Sequence, residues 1–140
     1  MSLFNVMNLA ATGMSAENVR LNTVASNIAN ANTVSSSYDQ TYRARVPVFA
    51  AAMDEAQRDR SDGVGVKVLG IVESDKPLQV EFNPTHPMAD KDGYIYKPNV
   101  NVVEQMADMM SASKAYETNI QMADTTKRIL RRVLTLGQGQ

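Results

Sequence analysis

Apolar residues in the C-terminal part of this 140-residue chain recur with alternating spacings of four and three. The stretch from Asn99 to Leu136 contains neither Pro nor Gly. This alternation is the heptad spacing of a helix that packs along a narrow seam. We predict a helix from about Asn101 to Leu136, roughly 50 Å long at about 1.5 Å per residue. Its seam comprises Val102, Met106, Met109, Ser113, Tyr116, Ile120, Ala123, Lys127, Leu130 and Leu134.

A second heptad pattern occupies residues 1–32. Its positions are Leu3, Met7, Ala10, Met14, Glu17, Leu21, Val24, Ile28 and Ala31, and only Glu17 among them is charged. Two seams of similar length at opposite ends of a chain favour an antiparallel, coiled-coil-like pair of helices. The predicted fold class is therefore mainly α, with the two long helices as its frame.

The polar positions of the first helix are unusual. Glu17 and Arg20 are the only charged residues before Ser37, and Asn supplies most of the other polar positions. Asn is a poor helix former, and a solvated helix face normally carries Lys and Glu. The pattern indicates a helix packed on several sides within an assembly, or else a weakly helical and partly disordered N-terminus. Gly13 favours packing, because it permits close approach of another backbone.

A single seam between two helices is expected to be too weak to hold them together. Its apolar residues contribute roughly 2 kcal/mol each, whereas ordering a residue costs about 1.5 kcal/mol and far more residues than those of the seam must be ordered. Contacts between subunits would have to supply the difference.

The middle of the chain predicts a small β-rich insertion, so the chain divides into a core helix at 1–32, an arm, loop and β insertion at 33–98, and a core helix at 99–140. Pro47 marks an edge strand, Pro98 ends the last strand, and Asn99 or Asn101 can cap the second helix. The predicted extended segments are 42–50, 64–74, 77–82 and 94–98, with a charged loop at 51–63 and a Pro-rich loop at 83–93.

The composition argues against a metal or cofactor site and against nucleic-acid binding. The chain has no Cys, one His and a net charge of −1, so it predicts no thiolate or multi-histidine metal site, no cofactor and no general attraction to nucleic acid. His86 lies in a Pro-rich loop, where a polar loop residue is far more common than a ligand. Asp90, Asp92 and Gly93 echo a calcium loop without its later ligands, so we predict a turn entering a strand. We expect no enzymatic activity.

Two further features concern the ends of the chain. Lys127, Arg128, Arg131 and Arg132 form one basic cluster, which either complements the helix C-terminal dipole or binds an acidic partner. No apolar run is long enough to span a bilayer, and the N-terminus lacks the basic region of a secretory signal peptide. We therefore expect neither membrane insertion nor a cleaved signal peptide.

Specific motifs resemble bacterial flagellar axial proteins of the rod and hook class. The sequence ASNIANANT at 25–33 resembles their N-terminal signature, and the resemblance continues almost end to end through YRA at 42–44, GVKV at 65–68, HP at 86–87, PNVNVVE at 98–104 and LTLGQ at 134–138. The motif residues we single out are Asn27, Asn30, Asn32, Asn99, Asn101 and Glu104. Val34 and three serines replace the Gly-Tyr pair of hook-type relatives, which favours a proximal rod subunit. Lys114 and Glu117 stand where Arg and Gln are usual.

The resemblance implies a structural subunit of the flagellar basal body. Such subunits pass unfolded through the flagellar type III export apparatus and polymerise in the periplasm into a drive shaft that transmits torque to the hook. Partners would be like subunits, other rod proteins and the junction between rod and membrane ring. The subunit-packing residues would be those of the two seams: Leu3, Met7, Met14, Leu21, Val24, Ile28, Val102, Met106, Met109, Tyr116, Ile120, Leu130 and Leu134. The alternative is a cytoplasmic coiled-coil adaptor or export chaperone.

Overall fold

Two long helices frame the chain in the computed structural model, which describes residues 2–52, 63–137 and 139. Helix α1 spans Leu3–Asn30 and helix α2 spans Val102–Gly137. Four strands lie between them: β1 at Arg45–Ala52, β2 at Gly65–Glu73, β3 at Gln79–Phe82 and β4 at Tyr94–Lys97. The predicted fold class is confirmed, since two terminal helices enclose a small β insertion.

The strands form two separate two-stranded sheets. Strand β1 pairs with β2, and β3 pairs with β4 in an antiparallel hairpin whose register sets Phe82 opposite Tyr94 and Gln79 opposite Lys97. Three of the four predicted extended segments contain β2, β3 and β4, and the first, 42–50, overlaps β1. Strand β1 runs on through Ala52, so the predicted loop at 51–63 begins later than expected, and its residues 53–62 lie outside the described residues.

Helix α2 starts where the sequence placed its cap. The side-chain Oδ1 of Asn101 accepts hydrogen bonds from the backbone N–H groups of Val103 (3.1 Å) and Glu104 (3.3 Å). The Asn101 carbonyl accepts the first helical bond, from Gln105 N at 3.0 Å. Asn101 is therefore the N-cap, and Asn99 serves another purpose.

The chain folds into two compact units. The first comprises Met1–Val19, Val48–Gly70 and Ser111–Gln140, and the second comprises Arg20–Pro47 and Ile71–Met110. Each takes one part of α1, one part of the middle segment and one part of α2. The predicted three segments describe the order along the chain and stay a prediction.

Small side chains make up the buried positions of the first unit. Ala10, Ala16 and Ala112 are buried there, and Thr126 is buried with its hydroxyl bonded to the Met122 carbonyl at 2.9 Å. A Cβ added to Gly13 would lie only 2.7 Å from Asn119 Nδ2. The two helices thus approach closely at Gly13, as the sequence indicated.

The second unit has a mixed core. Val24 of α1 is buried, as are Leu78, Ile95 and Val100 from the segments between β2 and α2. Its hairpin turn is the predicted turn into a strand. Gly93 has a φ of +84°, its N–H bonds the Asp90 carbonyl at 3.1 Å, and the Asp90 carboxylate accepts the Tyr94 N–H at 2.8 Å.

Candidate subunit interface

Helix α2 is buried along one line of residues that is largely small or polar. Gln105, Ala112, Asn119 and Thr126 are spaced seven apart, and Ala112 and Thr126 are buried while Gln105 and Asn119 are half-buried. None of the four is a large apolar residue. The contacts of the folded chain therefore rest on close approach and hydrogen bonds as much as on apolar packing.

The residues that follow these positions by one, at the same seven-residue spacing, are exposed. Met106 is 56% exposed, Ile120 44% and Leu134 59%, and these three positions are spaced fourteen apart on α2. Ser113 and Lys127, which lie between them at seven-residue spacing, are also exposed. We call Met106, Ile120 and Leu134 the outer apolar line. Further exposed apolar residues of α2 are Val103, Met110, Met122, Ile129, Val133 and Leu136.

The predicted α2 seam is therefore divided by the structure. Its alternate members are half-buried within the chain: Val102, Met109, Tyr116, Ala123 and Leu130. The members between them are the exposed residues just described. The buried residues of α2 lie instead on the line formed by Gln105, Ala112, Asn119 and Thr126. Hydropathy could not reveal these positions, because their side chains are small or polar. The signal that could have found them is their own seven-residue spacing.

The predicted α1 seam lies mostly within the chain. Val24 is buried, and Leu3, Met14, Leu21 and Ile28 are half-buried, whereas Met7 is exposed. Glu17, the charged member of the pattern, is half-buried. Phe4, outside the predicted seam, is largely exposed. Near its N-terminus α1 thus also presents apolar side chains outward.

Asn27 is the best-connected motif residue. It is only 1% exposed, and its Nδ2 donates to the Arg45 carbonyl and to Gln105 Oε1, both at 2.8 Å. Its Oδ1 accepts from the Tyr42 hydroxyl and from Arg45 N–H, both at 2.9 Å. Burial raises the pKa of the Tyr42 phenol, with opposing influence from Arg45, so this hydroxyl stays a donor at neutral pH. Asn27 joins both helices to the arm, here meaning residues 42–45.

Antiparallel pairing follows from contacts within the second unit. Arg20 forms an ion pair with Asp108 at 3.0 Å, and Asn27, further along α1, bonds Gln105, which comes earlier on α2. The chain positions therefore run in opposite directions along the two helices. This agrees with the predicted antiparallel pair.

Asn99 joins three backbone groups around the start of α2. Its Oδ1 accepts from Ala44 N–H at 2.7 Å, and its Nδ2 donates to the carbonyls of Lys76 (2.7 Å) and Ser74 (3.3 Å). It thus holds the arm and the end of β2 beside the last helix. Asn99 is a structural residue of the folded chain.

The remaining motif residues lie nearer the surface. Asn30 Nδ2 donates to the Ser26 carbonyl at 2.8 Å, and Asn32 is exposed. Glu104 is exposed and lies 3.8 Å from Lys76 Nζ. Lys114 and Glu117, which stand where Arg and Gln are usual in the family, pair with each other at 3.1 Å.

The basic cluster does not reach the end of α2. The helix continues to Gly137, and its last turn contains no basic residue. Because the dipole effect falls off within the last turn, it explains Lys127, Arg128, Arg131 and Arg132 less well than expected. These four side chains are exposed, and Arg128 pairs with Asp124 at 3.3 Å.

The loop chemistry agrees with a structural role for His86, whose Nδ1 accepts the Met88 N–H at 3.0 Å. Among residues 2–52, 63–137 and 139, no group of three or more His, Asp or Glu side chains is placed to hold a metal ion. Within the same part of the chain, neither helix combines the length and apolar character needed to cross a membrane.

Two family models match the two helical ends that carry these contacts. Residues 7–34 match the model described as "Flagella basal body rod protein", and residues 91–136 match "Flagellar basal body rod FlgEFG protein C-terminal". The chain belongs to the flagellar basal-body rod protein family.

Its relatives include full-length proteins named flagellar basal-body rod protein FlgC. The one from Salmonella typhimurium is 41% identical over 138 residues, covering 99% of this chain and 100% of that protein. The one from Borreliella burgdorferi is 36% identical over 152 residues with the same coverage, and the one from Buchnera aphidicola subsp. Schizaphis graminum is 30% identical over 138 residues, again with 99% and 100% coverage. The family resemblance found in the motifs is thus confirmed over the whole chain.

Proposed function

We propose that this chain, a structural subunit of the flagellar rod, assembles through the outer apolar line of α2. The observation that carries the proposal is the exposure of Met106, Ile120 and Leu134 on a helix whose own packing uses small and polar residues. Single exposed apolar residues are ordinary, but large ones repeated along one helix, with Val103, Met110 and Val133 also exposed on that helix, support an interaction surface. Because each residue of the line is already about half covered, a neighbour that buries the rest contributes roughly half of the 1.5–3 kcal/mol that full burial of such a side chain gives.

The partner helix would be supplied by a neighbouring rod subunit. The outer apolar line repeats every fourteen residues, or two heptads, which suits a second helix packed alongside with knobs-into-holes geometry. Met106 and the adjacent Met110 are unbranched and adaptable, so they accommodate more than one neighbour. The predicted seam residues of α1 would complete this packing, with Met7 and Phe4 outward near its start.

The wider setting of this assembly forms part of the same proposal. The family membership places the chain among other rod components of the basal body. We infer that the chain is exported through the flagellar type III apparatus, assembles in the periplasmic proximal rod, and contacts the junction with the membrane ring. The assembled helices would carry torque from motor to hook.

The alternative, a cytoplasmic coiled-coil adaptor or export chaperone, has less support. An adaptor working alone in solution is expected to carry charged outer faces on its helices. Helix α1 carries only Glu17 and Arg20 as charged residues in its 28 positions. Exposed apolar side chains on α2 also favour permanent partners.

Substitution of Ile120 tests the proposed surface. Ile120→Asp places a charge on the outer apolar line, where burial against a neighbour would cost several kcal/mol. We expect normal synthesis, loss of the chain from isolated basal bodies and loss of swimming. Gln121→Asp adds the same charge at an exposed polar position next to it, and we expect it to swim normally. Normal motility of Ile120→Asp would contradict the proposal.

A further inference from the structure

The cations near the end of α2 carry an inference about the partner that covers this helix. We call them the basic end: Lys127, Arg128, Arg131 and Arg132. All four are exposed, and residues 125–137 contain no acidic residue. Residues 131–137 are also exposed throughout, so the described part of the chain leaves this end of the helix uncovered.

The first unit offers the basic end few anions of its own. In the described part of that unit, the acidic residues are Glu17, Glu117 and Asp124. Asp124 pairs with Arg128 at 3.3 Å, Glu117 pairs with Lys114 at 3.1 Å, and Glu17 is half-buried on α1. Within the described part of the chain, the other three cations of the basic end therefore form no ion pair.

The spacing of the four cations brings like charges together. Lys127 and Arg131 are four residues apart, as are Arg128 and Arg132, so each pair occupies successive turns of one helix face. Like charges at this spacing destabilise a helix. The helix dipole compensates little, because its effect falls off within the last turn and that turn contains no basic residue. Carboxylates placed opposite these cations would replace repulsion by attraction.

Lys127 belongs to the surface through which the subunit is proposed to assemble. It lies seven residues from both Ile120 and Leu134, and Arg131 lies three residues before Leu134 on the same face. A neighbour that buries Ile120 and Leu134 therefore also covers or borders these two cations. Removing a cation from water without a partner is very costly, whereas a hydrogen-bonded carboxylate partner offsets that cost.

We propose that the neighbouring rod subunit covers the basic end with an acidic surface, which places carboxylates against Lys127 and Arg131. The inference deepens the proposed function, on which it rests, because it states the chemistry of the partner. Guanidinium groups suit carboxylates, with which they form bidentate pairs. Anionic lipid headgroups would attract the same cations, but the full-length matches to rod proteins favour a protein surface.

Carbodiimide cross-linking of isolated basal bodies tests this pairing in the unaltered full-length chain. The reagent activates a carboxylate, which then forms an amide bond only with a lysine amine already in contact with it. Links are located by mass spectrometry, and species larger than the single chain on a denaturing gel reveal links between subunits. Lys114 and Glu117, which pair at 3.1 Å, provide an internal control, since they should link within their own chain.

We expect Lys127 to be linked to an Asp or Glu of a neighbouring subunit. In Arg131→Lys, which keeps the charge and adds an amine, we expect a second link to the same acidic surface. Arg131→Glu places an acid against acids, so the amount of the chain in basal bodies should fall about ten-fold or more. Lys114→Glu reverses another exposed cation of α2, and this matched control should assemble normally.

Three outcomes would overturn the inference. The first is a Lys127 linked only to carboxylates of its own chain. The second is a Lys127 that reacts with an amine-acylating reagent in assembled basal bodies and forms no link, which would leave water or lipid headgroups around the basic end. The third is normal assembly of Arg131→Glu.

Failure of the proposed function looks different, since it appears as motility of Ile120→Asp. Failure of this inference alone appears as a non-motile Ile120→Asp together with an unaltered chain whose Lys127 forms no link between subunits.

Discussion

Gly13 lies so close to Asn119 that a Cβ added to it would be 2.7 Å from the Asn119 Nδ2 atom and 3.1 Å from its Cγ. Real Cβ atoms essentially never come this close to other heavy atoms, so any side chain at position 13 would force the Asn119 amide on α2 to move. This explains a residue that costs roughly 1 kcal/mol in a helix interior. Gly13 therefore supports the close approach of the helices in the first unit.

We expect Gly13→Ala to weaken the subunit even though alanine favours helices. Displacing the Asn119 amide by overpacking costs about 1–3 kcal/mol, which equals or exceeds the gain of about 1 kcal/mol in helix propensity. The measurement is the amount of the chain in isolated basal bodies, together with swimming speed. Gly70→Ala is the control, because a Cβ there meets nothing within 4 Å. Better assembly of Gly13→Ala would refute the close contact.

The cap of α2 gives a local prediction. Asn101→Ala removes the acceptor for the N–H groups of Val103 and Glu104, which should cost about 1 kcal/mol. We expect roughly five-fold faster hydrogen exchange of these two amides in basal bodies. Asn101→Asp keeps an acceptor and should exchange at the original rate. Equal rates in Asn101→Ala and the unaltered chain would show that the cap is unimportant.

The hairpin turn should respond to acid. Backbone N–H bonds to the Asp90 carboxylate, with the Tyr94 N–H first, hold the pKa of Asp90 below its ordinary value. A lowered folded-state pKa means that the ionised carboxylate stabilises the turn above the ordinary pKa. This contribution is lost as the pH falls through the folded-state pKa. The measurement is an NMR titration of the Asp90 carboxyl carbon in the full-length chain.

Tyr96→Phe separates the contributions to this shift. It removes the hydrogen bond from the Tyr96 hydroxyl to Asp90 Oδ2 (3.2 Å) and keeps the backbone hydrogen bonds. The pKa of Asp90 should therefore rise part of the way toward its ordinary value. An Asp90 that titrates at its ordinary value in the unaltered chain would contradict the described turn.

The isolated chain should be much less helical than the assembled one. Large apolar residues of α2 are exposed in the single chain, and the buried residues between the helices include small ones such as Ala10 and Ala112. We therefore expect the stability of the helix pair to depend on contacts with neighbouring subunits. Far-ultraviolet circular dichroism of the dilute full-length chain should show largely disordered termini. A stably helical, concentration-independent monomer would favour the adaptor alternative.

Much of the fold could be predicted from the sequence. Heptad spacing marks both helices to within a few residues, and Pro and Gly mark the strands between them. Within the single chain, the predicted α2 seam residues Val102, Met109, Tyr116, Ala123 and Leu130 are half-buried, whereas Met106, Ile120 and Leu134 are exposed. Packing of the seam against other subunits stays a prediction. Hydropathy indicates which side chains are buried in the final assembly. It does not distinguish burial within the same chain from burial against a neighbouring subunit.

The contacts that hold the chain together were harder to predict. The family motif includes Asn27 and Asn99, but their partners Tyr42, Arg45 and Lys76 lie far along the sequence. Hydrogen bonds of this kind have no periodicity, so composition and spacing cannot reveal them. A glycine inside a helix predicts a close contact at Gly13, but nothing in the sequence identifies Asn119 as its partner.

The most direct test of the central claim is photo-crosslinking from the outer apolar line. A photoreactive amino acid is placed at Ile120 in the full-length chain, and assembled basal bodies are irradiated and analysed by mass spectrometry. We predict links from position 120 to helical residues of neighbouring rod subunits, with few such links from the exposed polar position Gln121. Links from position 120 that fall only within its own chain, in basal bodies that are fully assembled, would contradict the account.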